Sequence, residues 1–220
     1  MHPAVASLIA QLRAESDARN VAGMRRFGIT SAAEQLGVSM PRLRAMARTH
    51  RRDHTLAAAL FECPIHEARI LATLIADPAK VTRTQMEQWV KRCDNWAQTD
   101  ALAFMLDRTP YAEAKARAWS ARRAEFVKRT GFALMAGMAV HRKELTDEVF
   151  LGFLPLIRRE ALDERNFVKK AVNWALRQIG KRNPRLRHAA VVEAGRIARI
   201  DSSAARWIAR DAVRELTGRE

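Results

Sequence analysis

Arg165-Asn166-Phe167-Val168-Lys169-Lys170-Ala171-Val172-Asn173-Trp174-Ala175-Leu176-Arg177-Gln178-Ile179-Gly180-Lys181-Arg182 decides the fold class. At about 100° per residue, Val168, Ala171, Val172, Ala175 and Ile179 fall on one stripe of a helix. Lys170, Arg177 and Lys181 form a basic row on another side, with Trp174 at the boundary. An aromatic side chain bordering a cationic row suits a nucleic acid, stacking on a base or sugar while its neighbours hold phosphates. A partly buried core tryptophan with lysines reaching past it to water fits the same pattern.

The same three- and four-residue recurrence of apolar positions runs outward in both directions, and strand signals are nearly absent. It predicts helices near 3–15, 41–50, 53–62, 66–76, 83–93, 97–107, 111–121, 124–140, 146–160, 164–182, 185–199 and 202–217. Breakers separate them at Gly37, Pro41, Pro64, Asp77-Pro78, Thr109-Pro110, Pro184 and Asp201-Ser202-Ser203, with Ser202 or Ser203 placed to cap the last helix. Helix pairs recur about every 35 to 40 residues, the length of a HEAT-like unit. The expectation is an all-α, HEAT-like solenoid forming a single domain over 1–220, curved to give a concave basic surface. A compact globular helical domain is the alternative.

Lys and Arg number 39 against 24 Asp and Glu, a formal net charge of +15 over 220 residues. Such an excess favours a polyanionic partner, although it also suits an unspecialised basic surface. Residues 133–140 (ALMAGMAV) are the most apolar stretch, far short of the roughly 20 residues that span a bilayer. Met1-His2-Pro3-Ala4 does not open a secretory signal. Cys63 and Cys93 fit buried or half-buried helix positions rather than a disulfide framework. A soluble cytoplasmic monomer with no membrane partner is expected.

No phosphate-binding glycine loop is present, because Gly180-Lys181 lacks the earlier glycine. His66-Glu67 is not a zinc helix, since no second histidine follows at the required spacing; His66 instead starts a helix after Pro64. Two further segments remain. In Asp94-Asn95-Trp96-Ala97-Gln98-Thr99-Asp100, Trp96 and Asp100 are four apart and share a helix face. Taken by themselves they are better explained by a core tryptophan beside a solvated or capping aspartate, and the pair gains functional meaning only beside a cationic groove. In Arg122-Arg123 through Phe126-Val127-Lys128-Arg129-Thr130-Gly131-Phe132, Arg122 and Arg129 fall on similar sides if one helix continues, as phosphate contacts or as a solvated basic face.

Together these segments resemble the AlkD-like DNA alkylation repair family. The likeness is carried by Arg26-Phe27-Gly28-Ile29, Pro41-Arg42-Leu43-Arg44, His66-Glu67-Ala68-Arg69, Asp94-Asn95-Trp96 with Asp100, Phe126-Val127-Lys128-Arg129, the run from Asn166 to Pro184, and Ala205-Arg206-Trp207-Ile208-Ala209. The resemblance implies HEAT-like repeats and a monofunctional glycosylase. Its substrates would be cationic N3- and N7-alkylated purines, such as 3-methyladenine and 7-methylguanine, in double-stranded DNA. The lesion is not extruded into a pocket, in contrast to base-flipping glycosylases. The implied catalytic residues are Trp96, Asp100 and Trp174, and the implied phosphate contact is Arg129, alongside the row of Lys170, Arg177 and Lys181. No metal or organic cofactor is implied, and nucleoid association is expected when DNA is bound. The sequence departs from the family at Ala97, where many members carry an acid. A catalytically silent DNA-binding or damage-sensing protein is the second reading, and a protein–protein scaffold the third.

Overall fold

A computed structural model describes residues 2–218. The expected span of 1–220 also takes in Met1, Arg219 and Glu220, which lie outside the described residues. The described residues form fourteen α-helices joined by short connections, with one isolated bridge, Glu34 to Ile65, in place of a sheet. None of these helices is long and apolar enough to cross a membrane. The chain divides into two compact units, up to Met105 and from Leu106 onward.

The first unit contains α1 (Ala4–Ala14), α2 (Ala18–Arg26), α3 (Met40–Ala47), α4 (His54–Glu62), α5 (His66–Ile75), α6 (Arg83–Arg92) and α7 (Trp96–Leu106), the last residue of α7 marking the boundary. Its core is built from Leu56, Leu60, Leu71 and Met86 around Phe61 and Trp89, whose rings stack at 4.3 Å and 8°. Sequence periodicity gave no sign of α2. That helix buries no residue, and it is set by the Asp17 carboxylate, which accepts from the amides of Arg19 and Asn20.

The second unit contains α8 (Ala112–Ser120), α9 (Glu125–His141), α10 (Asp147–Leu151), α11 (Leu154–Glu160), α12 (Asn166–Lys181), α13 (Pro184–Ile197) and α14 (Ser203–Thr217). The stripe of Val168, Ala171, Val172, Ala175 and Ile179 is wholly buried, as expected, and α12 packs against α9, α13 and α14. The single helix predicted over 146–160 is two. The chain turns at Gly152 and Phe153, and Pro155 restarts it in the first turn of α11, where its missing N–H costs nothing. Ser202 caps α14 by accepting from the Ala205 amide.

Repeat spacing is visible in the polar contacts of this unit. Arg129 reaches Phe167, Asn173 reaches Asp211 and Arg177 reaches Glu215, each pair 38 residues apart. Equivalent positions on α9, α12 and α14 therefore meet at the interval that the sequence pattern implied. Where α8 crosses α9 the backbones nearly touch: a Cβ on Gly131 would lie 2.5 Å from the Ser120 nitrogen.

Candidate functional site

The start of α7 is fixed by a buried polar network in the first unit. Asn95 caps the helix, its Oδ1 accepting from the Gln98 amide at 3.1 Å. Asn95 Nδ2 donates to Asp94 Oδ1 at 2.9 Å, and the side-chain amides of Asn95 and Gln98 both reach His66 Nδ1, at 3.3 and 3.1 Å. His66 is buried, and burial holds its imidazole below the usual histidine range. A neutral ring accepting at Nδ1 fits both donors. His66 opens α5, as the sequence indicated, and serves this network as well.

The network also clamps the segment between α2 and α3. The Asp94 carboxylate accepts from the Ser31 hydroxyl at 2.9 Å and the Ala32 amide at 2.7 Å. The buried Glu67 carboxylate accepts from the amides of Leu36 and Gly37, at 3.0 and 2.7 Å. Gly37, at φ 77°, allows the Asp17 carbonyl to come within 2.3 Å of where a Cβ would stand. Phe27 ends α2, and its carbonyl accepts the Trp96 indole N–H at 3.0 Å while its ring is 76% exposed. Trp96 is thereby held half-buried with its orientation set from outside its own helix.

Asp100 follows one turn later, also half-buried, on the same face as Trp96. The Thr99 hydroxyl donates to the Trp96 carbonyl at 2.9 Å and lies 3.4 Å from Asp100 Oδ1. The pairing legible in the sequence is thus present. The segments that hold Asp94, Glu67 and Phe27 carry the family resemblance, but neither periodicity nor spacing marks these three residues as supports of Trp96.

The remaining expected residues lie in the second unit, where most are engaged internally. Arg129 is 6% exposed and donates to the Phe167 carbonyl at 2.7 Å, fastening α9 to the first turn of α12. Lys128, also buried, sits between Glu160 at 2.5 Å and Asp163 at 3.0 Å. Lys128 and Arg129 therefore do not belong to a solvated basic face, whereas Arg122 and Arg123 are exposed. Arg122 does not extend α9 either, since it lies in the turn after α8. Trp174 is half-buried on α12. Arg177 and Lys181 both pair with Glu215, and Arg177 also lies 3.3 Å from Asp211. Lys170 alone of the expected row is exposed without a side-chain partner among the described residues.

These features define an all-α helical-repeat protein with a tryptophan–aspartate pair on one helix. A solved structure described as "a new family of proteins related to the HEAT-like repeat DNA glycosylases with affinity for branched DNA structures" has the same fold. The two superpose with a TM-score of 0.78 over 97% of this chain and 96% of that one, at 18% identity. The architecture is HEAT-like. A search of curated proteins gives no match. The model of the DNA alkylation repair enzyme family matches residues 8–216, and this chain belongs to that family.

Proposed function

We propose that this protein is a DNA glycosylase that hydrolyses the N-glycosidic bond of cationic N3- and N7-alkylated purines in duplex DNA. The observation that carries the reading is Asp100, a half-buried carboxylate one turn from a tryptophan fixed by the Phe27 carbonyl, in a chain of net charge +15. A carboxylate is poorly suited to holding phosphates and well suited to a developing cation. An alkylated purine carries its positive charge already. When the C1′–N bond breaks, the electron pair leaves with the base, which departs neutral and needs no strong general acid. The sugar is left with oxocarbenium character. Asp100 stabilises that charge and orients the water that attacks C1′ and then loses a proton. The Trp96 π face adds a cation–π contribution of about 1–2 kcal/mol when desolvated. Trp174 is assigned a similar aromatic contact with DNA, and Lys170 a phosphate. The lesion reacts without rotation into a pocket, the protein acts as a monomer, and its place is the cytoplasm, on the nucleoid.

The test is single-turnover release of 7-methylguanine and 3-methyladenine from duplex DNA at saturating protein. Asp100→Asn should slow release by a factor of about 10² or more, with binding retained or slightly tightened. Equal rates for the two proteins would remove Asp100 from the mechanism.

A second reading is favoured by the structural neighbour's affinity for branched DNA and by Ala97, a position where the family resemblance implies an acid. On that reading the protein binds branched DNA without cleaving a base. Wild-type protein that releases neither base yet prefers a four-way junction to duplex would establish it.

A further inference from the structure

Residues 40–52 contain five arginines, Arg42, Arg44, Arg48, Arg51 and Arg52, and no acid. Arg42 is committed to Glu15, with contacts of 2.7 and 2.5 Å. The other four are exposed and enter no side-chain hydrogen bond or ion pair among the described residues. The nearest acid along the chain, Asp53, is occupied: it accepts from the Leu56 amide at 2.9 Å and lies 3.3 Å from His2. No carboxylate is paired with any of these four guanidinium groups among the described residues.

Their placement is ordered. Leu43, Met46 and Ala47 turn α3 inward, so Arg44 and Arg48, one helical turn and about 6 Å apart, share its outer face. A 3-10 turn over Arg48–His50 carries the chain to Arg51 and Arg52. Arg52 adopts φ 62°, a conformation that side-chain-bearing residues rarely populate. It is fixed there by its amide, which donates to the Ile75 carbonyl at 2.8 Å, and its carbonyl, which accepts from the His54 amide at 3.0 Å. Glycine would suit that backbone better, yet the position carries a cation.

We propose that Arg44, Arg48, Arg51 and Arg52 form a binding surface for the sugar–phosphate backbone of duplex DNA. This rests on the reading that the protein binds DNA. Guanidinium groups fork onto phosphate oxygens, and an array without carboxylate partners binds phosphate without first breaking an ion pair. Arg177 and Lys181 on α12 would have to give up Glu215 to do the same.

The test compares three full-length proteins on one undamaged duplex, by fluorescence anisotropy over a range of NaCl: wild type, Arg44→Gln/Arg48→Gln/Arg51→Gln, and Lys80→Gln/Lys91→Gln/Lys143→Gln. The two variants lose equal charge, and folding is checked by circular dichroism and urea midpoint. The arginine variant should lower the log–log salt slope by about 0.9 per lost phosphate contact, up to about 2.7. Its affinity should fall at least tenfold, while the lysine variant keeps the wild-type slope. Arg52→Gly should raise Tm and weaken binding together, opposite movements that a structural role does not produce. A wild-type slope in the arginine variant overturns the proposal, as does an equal loss in the lysine variant. So does arginine-dependent binding to phosphatidylserine vesicles in preference to duplex. Wild-type protein that binds no duplex at all fails the DNA-binding reading itself; normal binding by the arginine variant fails only this surface.

Discussion

Replacing Glu215 by Gln is the perturbation that separates a structural basic row from a DNA-binding one. Glu215 pairs with Arg177 and Lys181, while Arg177 keeps Asp211 at 3.3 Å. All three partners of this cluster are partly exposed, so each ion pair contributes about 0.2–1 kcal/mol. Losing both should cost about 0.5–2 kcal/mol, and each kcal/mol shifts Tm by about 2–4 °C in a chain of this size. Burial by itself pushes the Glu215 carboxyl up, but Lys181 and Arg177 more than offset it and hold the group below the usual glutamate range. The wild-type contribution is therefore present above the unfolded value and lost as pH falls through the lower folded one; the variant has none to lose. Binding should move the other way. If the released cations reach phosphates, the log–log salt slope steepens by about 0.9 for each, up to about 1.8. Anisotropy titrations of duplex DNA across NaCl concentrations, beside urea midpoints from neutral to acid pH, measure both effects. Lower stability with an unchanged slope would refute the assignment of Arg177 and Lys181 to DNA and leave them as ties between α12 and α14.

Two further outcomes concern the frame around the second unit. Lys128→Met removes the buried cation between Glu160 and Asp163, but Arg159 and Arg165 still reach those carboxylates, so a loss of about 1–3 kcal/mol is expected in urea unfolding. Burial pushes Asp163 up, yet Arg165 and Lys128 bring it to about 2; wild-type stability from this group is lost between pH 3.8 and about 2, and the variant's profile should be flatter across that window. Gly131→Ala places a methyl 2.5 Å from the Ser120 nitrogen and 2.9 Å from the Trp119 carbonyl carbon, both backbone atoms. It should destabilise by about 1–3 kcal/mol, and an unchanged thermal midpoint would mean that α8 retreats without cost.

What the sequence determined by itself is what depends on near neighbours. The buried stripe of α12, the breakers at Pro64 and Pro184, and the shared face of Trp96 and Asp100 all follow from helical periodicity, which acts within a few residues. The same dependence explains two departures. Helix α2 escaped because it is short and polar and offers only Val21 and Met24 to mark an apolar face, and the break at Gly152 escaped because the apolar pattern continues across it. Tertiary structure alone decided which charges are available. Composition counts Arg177, Lys181, Arg129 and Arg44 alike. Only the folded chain brings Glu215 to the first two from 38 and 34 residues away, buries Arg129 against the Phe167 carbonyl, and leaves Arg44 in water. A charge is a property of a residue, whereas its neutralisation depends on distance in space, which chain order does not specify.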